Sequence, residues 1–188
     1  DDGTAVLVGD ALQTLGFELV LDPACHGDGA VRADLALSLA QASGHKGMVL
    51  GQALDILAET AETPLTLDQI TELQAGKTGA LIVWSAQAGA RLAQADLKPL
   101  TDYATALGLA FQIADDILDV EGDETTVGKA VGKDADRGKA TFVSLLGLDG
   151  AKRRASDLVE AACDALSPYG ARAQTLNEAA QFVISRDT

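Results

Sequence analysis

Residues 108–124 read GLAFQIADDILDVEGDE. The first half is an apolar run at helical spacing, and Asp115, Asp116 and Asp119 enter it before Gly122 stops it. An ionised group in such surroundings is costly unless something cationic meets it. On a helix Asp115 and Asp119 stand four residues apart on one face, with Asp116 turned by about 100° on the same rim. Two anions at that spacing repel each other, and a divalent cation reverses the sign of the interaction. Sparse carboxylates, with water and phosphate oxygens completing the shell, are the ligands of Mg²⁺ rather than of a soft metal. Gln112 stands one turn earlier, where its amide can face the same ligand. The alternative is a solvated helix end, common on an acidic protein.

Working outward, the segment after this helix carries GKAVGKD over 128–134 and GKAT over 138–141. Glycine beside lysine lets a backbone approach phosphate oxygens while the ammonium group neutralises them. The competing reading is a flexible, solubilising loop. Upstream, GQALD over 51–55 puts Gln52 and Asp55 on one side of another apolar helix. Buried polar groups there need a ligand, or a partner on a neighbouring helix. Lys77 and Thr78 combine a cation and a hydroxyl where a helix is expected to begin, a natural anion site or an ordinary exposed first turn.

The rest of the chain is built to hold such helices. It has 188 residues, 47% of them hydrophobic but only 4% aromatic, and 4 prolines, a balance that favours one all-α domain over 1–188. Helices are expected over Thr4 to Leu21, onward to about Gln41 after the Asp22-Pro23 break, and from Lys46 to Thr60. A short one starts at a Thr66-x-x-Gln69 capping box. A central one is expected from Thr78 to Gln94, and another from Pro99 to about Val120. Three more follow between Ala140 and Ser185. The formal net charge of -14 argues against nucleic-acid and anionic-membrane partners, so an anionic substrate must be met locally. No uninterrupted apolar run approaches bilayer length. Cys25 and Cys163 lie far apart with no CxxC spacing, which fits a reduced, cytoplasmic setting without a disulfide or a zinc site.

Two other chemistries fail on spacing. Gly76-Lys77-Thr78 suggests a nucleotide-binding P-loop, but position 71 is Thr71 rather than glycine and the preceding residues read as helix. His26 and His45 have no partners at ligand or triad spacing.

Taken together, GDAL over 9–12, GQALD over 51–55, KTGAL over 77–81, FQIADDILD over 111–119 and the two lysine-bearing pieces at 128–134 and 138–141 resemble the trans-isoprenyl diphosphate synthases, with the bacterial short-chain farnesyl and geranylgeranyl type nearest. They occur in family order along nearly the whole chain. The resemblance implies an all-α bundle of largely antiparallel helices around a deep central cavity, usually as a homodimer. It implies that Asp115, Asp116 and Asp119 form a second aspartate-rich motif holding Mg²⁺ on an allylic diphosphate, with Asp134 joining through water. Lys77, Lys129 and Lys139 would bind the diphosphate, while Thr78, Gln112, Gln52 and Asp55 would line the reacting end. The implied reaction is prenyl transfer, the condensation of isopentenyl diphosphate with an allylic diphosphate.

The departure from the family pattern is at the start. Such enzymes carry a first aspartate-rich motif followed by paired arginines, and Asp1-Asp2-Gly3 is not it, since it directly precedes the stretch that follows that motif. The chain is therefore expected to lack N-terminal helices. With them would go the isopentenyl diphosphate site and the positions that set product length. Two other readings stand beside the synthase: a class I terpene cyclase, which would not need isopentenyl diphosphate, and a non-catalytic partner subunit, which has no reason to keep a repulsive acidic cluster.

Overall fold

A computed structural model describes residues 1–121 and 140–185, and every element in them is helical. The order is α1 Asp2–Leu21, α2 Gly29–Ser43, α3 Met48–Ala58, α4 Leu67–Gln74, a π-helical turn Ala75–Gly79, α5 Ala80–Leu92 and α6 Lys98–Glu121. After residues 122–139 come α7 Phe142–Leu146, α8 Leu148–Ala165, a 3₁₀ segment Ser167–Ala173 and α9 Gln174–Ser185. The expected all-α class holds, and most boundaries follow local chemistry. Asp1 and Asp28 cap α1 and α2 through their side chains. The Thr66–Gln69 capping box is present in both directions, with Gln69 N–H donating to Thr66 Oγ1 at 3.3 Å and Thr66 N–H to Gln69 Oε1 at 2.9 Å. Asp22, which precedes Pro23, is extended and closes α1.

The core is centred on α6 and α8, not on the helix the sequence marked as central. Tyr103, Ala104, Ala110 and Ile113 of α6 meet Ala151, Ala155, Val159 and Ala162 of α8, with Phe142 and α9 completing the cluster. Small residues at these positions let the two helix axes approach. The Tyr103 hydroxyl donates to the Leu176 carbonyl at 2.9 Å, tying α6 to α9, and burial pushes its pKa up, which keeps it the neutral donor. Of α5, only Ala90 is fully buried. Its apolar composition has another cause, because one face of it lines a cavity rather than packed side chains.

α1 departs from the expectation in a different way. No residue of it is buried, and Val6, Leu7, Leu12 and Leu19 are each more than half exposed. By length and composition alone it is apolar enough to cross a bilayer. Counting uninterrupted runs missed this, because Gly9, Asp10 and Gly16 break every run without making the helix polar. A helix apolar on all sides calls for cover on all sides, and α2 supplies it on one.

Candidate active site

Glycine 51 sets the geometry of the upstream half. A Cβ added there would stand 2.0 Å from the Lys77 amide nitrogen and 2.6 Å from the Gly76 carbonyl carbon, so α3 crosses the π turn backbone to backbone. Asp55, one turn beyond Gly51 on the same face, then meets Lys77, whose Nζ lies 2.7 Å from Asp55 Oδ2. The pair is largely shielded, with the two side chains 34% and 13% exposed. The turn itself is also a correction. The sequence places a helix start at Lys77-Thr78, but α4, the π turn and α5 run on without a break, so no free helix N-terminus lies there. π turns of this kind insert one residue and re-aim the side chains around them. Here the turn brings Thr78 Oγ1 to 3.5 Å from Gln112 Oε1 on α6.

The acidic motif divides into two roles. Asp116 is 6% exposed; its Oδ1 accepts from Gln112 Nε2 at 3.2 Å and its Oδ2 from the Phe142 amide at 2.8 Å. It thus joins α6 to the first turn of α7, where Thr141 and Ser144 form a second capping box. Asp115 and Asp119 are half-buried at the rim. Among the described residues no three acidic, histidine or cysteine side chains close on one point as a complete metal shell. What is present suits a hard cation that takes only a few protein oxygens and fills its octahedron with phosphate and water.

Asp55, Lys77, Gln112 and Asp116 line one polar cavity of about 310 Å³, together with Gln74, Glu62 and Thr141. Asp115, Asp119, Gln52 and Thr78 lie outside its lining, the first two at the rim of α6. Lys129, Lys139 and Asp134 fall outside the described residues. Ala140, the first described residue after them, lines the cavity. Gln74, Glu62 and Thr141 are additions that the sequence reading did not single out. Gln74 had a local signal, being four residues before Thr78 in a continuous helix, and its Oε1 lies 3.4 Å from Thr78 Oγ1. The two cysteines are free thiols, as expected.

The double duty of Asp116 yields a prediction. Asp116→Ala leaves the buried Phe142 N–H without its acceptor, a loss of about 1–3 kcal/mol. Asp116→Asn keeps an acceptor oxygen and removes the charge. The alanine variant is therefore expected to lower the urea midpoint markedly and the asparagine variant to restore most of it. Denaturation measured on both variants checks this; equal midpoints would mean that the Phe142 contact contributes nothing to stability.

Comparison with known proteins agrees with this geometry. The polyprenyl synthetase family model matches residues 1–175. The chain is 40% identical to farnesyl diphosphate synthases of Haemophilus influenzae and Escherichia coli, over 99% of its own length and 63% and 64% of theirs. Among solved structures it is similar to an FPP/GFPP synthase from Zymomonas mobilis in its apo form, with TM-score 0.87, 45% identity, and 97% of this chain and 61% of that one covered. It is also similar to a geranyltransferase from Helicobacter pylori complexed with magnesium and isoprenyl diphosphate, with TM-score 0.79, 36% identity, and 98% of this chain and 60% of that one covered. The chain thus spans less than two thirds of the length of these relatives. With the family model covering nearly all of its residues, the chain belongs to the polyprenyl synthetase family.

Proposed function

We propose that this chain carries the allylic half of a short-chain prenyltransferase, which joins an allylic diphosphate to isopentenyl diphosphate. The observation that supports it most directly is the convergence of Lys77, Asp55, Gln112 and Asp116 on one polar cavity in a member of this family. The allylic diphosphate is assigned to Lys77, with Lys129 and Lys139 as further cations and Gln52 and Asp55 nearby. Mg²⁺ is assigned to Asp115, Asp116 and Asp119, with Asp134 in support; the magnesium-bearing neighbour from Helicobacter pylori supports this choice. Bound there, the metal neutralises charge on the departing diphosphate.

The remaining steps belong to the chain's own side chains. Lys77 moves from Asp55 to the diphosphate, so the anion that leaves meets a cation already in place. Thr78 and Gln112, held near each other across the π turn and α6, face the carbon that loses it and orient the tail. An apolar chamber beyond them keeps water from the allylic cation until the double bond of isopentenyl diphosphate attacks. We assign one domain to the chain and a second copy as cover for the exposed face of α1; sedimentation at twice the protomer mass is the expected result.

The test is to incubate the intact protein with Mg²⁺, isopentenyl diphosphate and a labelled allylic diphosphate, and to size the product. A chain longer by one isoprene unit is expected. Turnover that proceeds without isopentenyl diphosphate would mark a cyclase instead, and no turnover would mark a non-catalytic subunit.

A further inference from the structure

Thr14, Thr71 and Thr101 donate their hydroxyl protons to the carbonyl four residues earlier, each at 2.8 Å. Thr78 differs. It lies in the π turn, where backbone bonds reach five residues back rather than four, and its hydroxyl faces two side-chain oxygens instead. One is Gln74 Oε1 of α4 at 3.4 Å and the other is Gln112 Oε1 of α6 at 3.5 Å. A single O–H proton cannot satisfy both acceptors, and both separations are wider than an ordinary O–H···O bond. Farther along, the order of donors is fixed. Gln112 Nε2 donates to Asp116 Oδ1 at 3.2 Å, since an ionised carboxylate only accepts, and Asp116 Oδ2 accepts from the Phe142 amide at 2.8 Å. Gln112 therefore presents its oxygen to Thr78, and the one proton of Thr78 belongs there. Gln74 is left to meet a hydroxyl oxygen whose proton is spent, which only its amide nitrogen can do. The two ends of a glutamine amide are nearly equal in size, so the amide turns over in place.

We propose that Gln74 is a positioning residue of the site: its Nε2 donates to Thr78 Oγ1 and so sets one direction for the chain Gln74–Thr78–Gln112–Asp116. With each of these donors pointing toward Asp116, the Thr78 hydroxyl is pinned. Its proton lies toward Gln112, and the lone pair that Gln74 does not use faces outward, toward positive charge. An oxygen oriented in advance stabilises a developing cation without having to turn as the charge appears. An apolar side chain at position 74 would free the hydroxyl to swing its proton away from Gln112, and the orientation would be lost. The inference rests on the prenyltransferase reading, in which Thr78 and Gln112 face the carbon that loses diphosphate. To that reading it adds a residue on α4 that acts through Thr78. Gln74 also lines the polar cavity with Lys77. Because its action passes through the hydroxyl, its loss is read in kcat rather than in KM.

Gln74→Met keeps the shape of the side chain and removes both its donor and its acceptor. It is expected to lower kcat about fivefold to tenfold, the scale of one hydrogen bond, with KM within about twofold of wild type. In a Thr78→Val protein, which has no hydroxyl to direct, the same exchange should change kcat by less than about twofold. Gln74→Glu carries the test if Gln74→Met fails to fold, as judged by helical circular dichroism; it can only accept, and its added charge is present in both backgrounds and cancels between them. The side-chain amide signals of Gln112 in two-dimensional N–H spectra, identified by their loss in Gln112→Met, give a readout that needs no turnover. They are expected to shift in Gln74→Met, although Thr78 stands between the two residues, and to ignore the exchange in Thr78→Val. Equal losses of kcat with and without the Thr78 hydroxyl overturn the proposal, as does a loss confined to KM or a Gln112 signal that never moves. A wild type that makes no product removes the prenyltransferase reading, and the Gln112 shift then supports or overturns the hydrogen-bond chain by itself. A wild type that makes product, beside a Gln74→Met protein of equal kcat, sinks the role of Gln74 alone.

Discussion

Asp115→Ala is expected to lower turnover by about 10²–10³-fold, the scale on which one preorganised charge-stabilising group acts. Its helical circular dichroism and melting midpoint should stay near wild type. Asp116 is buried and anchors α7 through the Phe142 amide, so removing it mixes stability with chemistry. Asp115 is half-buried at the rim, on the face it shares with Asp119, where a hard cation would find carboxylate oxygens and room for its waters. Its loss should therefore appear in magnesium dependence first: the Mg²⁺ concentration for half-maximal activity rises, and excess metal restores part of the rate. Asp115→Ala turning over like wild type at every Mg²⁺ concentration would move the metal site off this motif.

That separation of roles shows where the sequence is informative. Features decided within one or two helical turns were legible. The Thr66–Gln69 capping box, the Asp22-Pro23 stop and the Gln112–Asp116 face each depend on residues two to four positions apart, and local sterics fix them. Features that depend on a neighbouring helix were not. The segment Ala75–Gly79 reads as a break because glycine usually ends a helical pattern, yet α3 and α6 pack against it and carry the helix through as a π turn. The apolar make-up of α5 reads as core, whereas one face of it is a cavity wall, since periodicity cannot tell a packed face from one that lines a cavity. A polar network joins the Gln87–Arg91 pair of α5 to Asp34 and Thr101, which only the fold brings beside it.

Gly51→Ala tests the least visible of these features, and the expected loss is large. In an exposed helix the exchange should stabilise, since alanine is favoured over glycine by about 1 kcal/mol. Gly89→Ala, where nothing lies within 4 Å of the new methyl, is expected to show that gain. At position 51 the sign reverses. The new Cβ would overlap the Lys77 nitrogen at 2.0 Å and Lys77 Cα at 2.6 Å, and these are backbone atoms of a packed turn that cannot rotate away. α3 must then lift off the π turn. Overpacking of this kind costs about 1–3 kcal/mol, more than the propensity gain. It also carries Asp55 away from Lys77, breaking the 2.7 Å pair, and displaces Thr78 from Gln112. The variant should thus lose both stability and affinity for inorganic diphosphate, while Gly89→Ala keeps the affinity unchanged. Paired melts and diphosphate titrations decide it. A Gly51→Ala protein as stable as Gly89→Ala, with undiminished diphosphate binding, would mean that close approach of α3 to the π turn does not position the lysine.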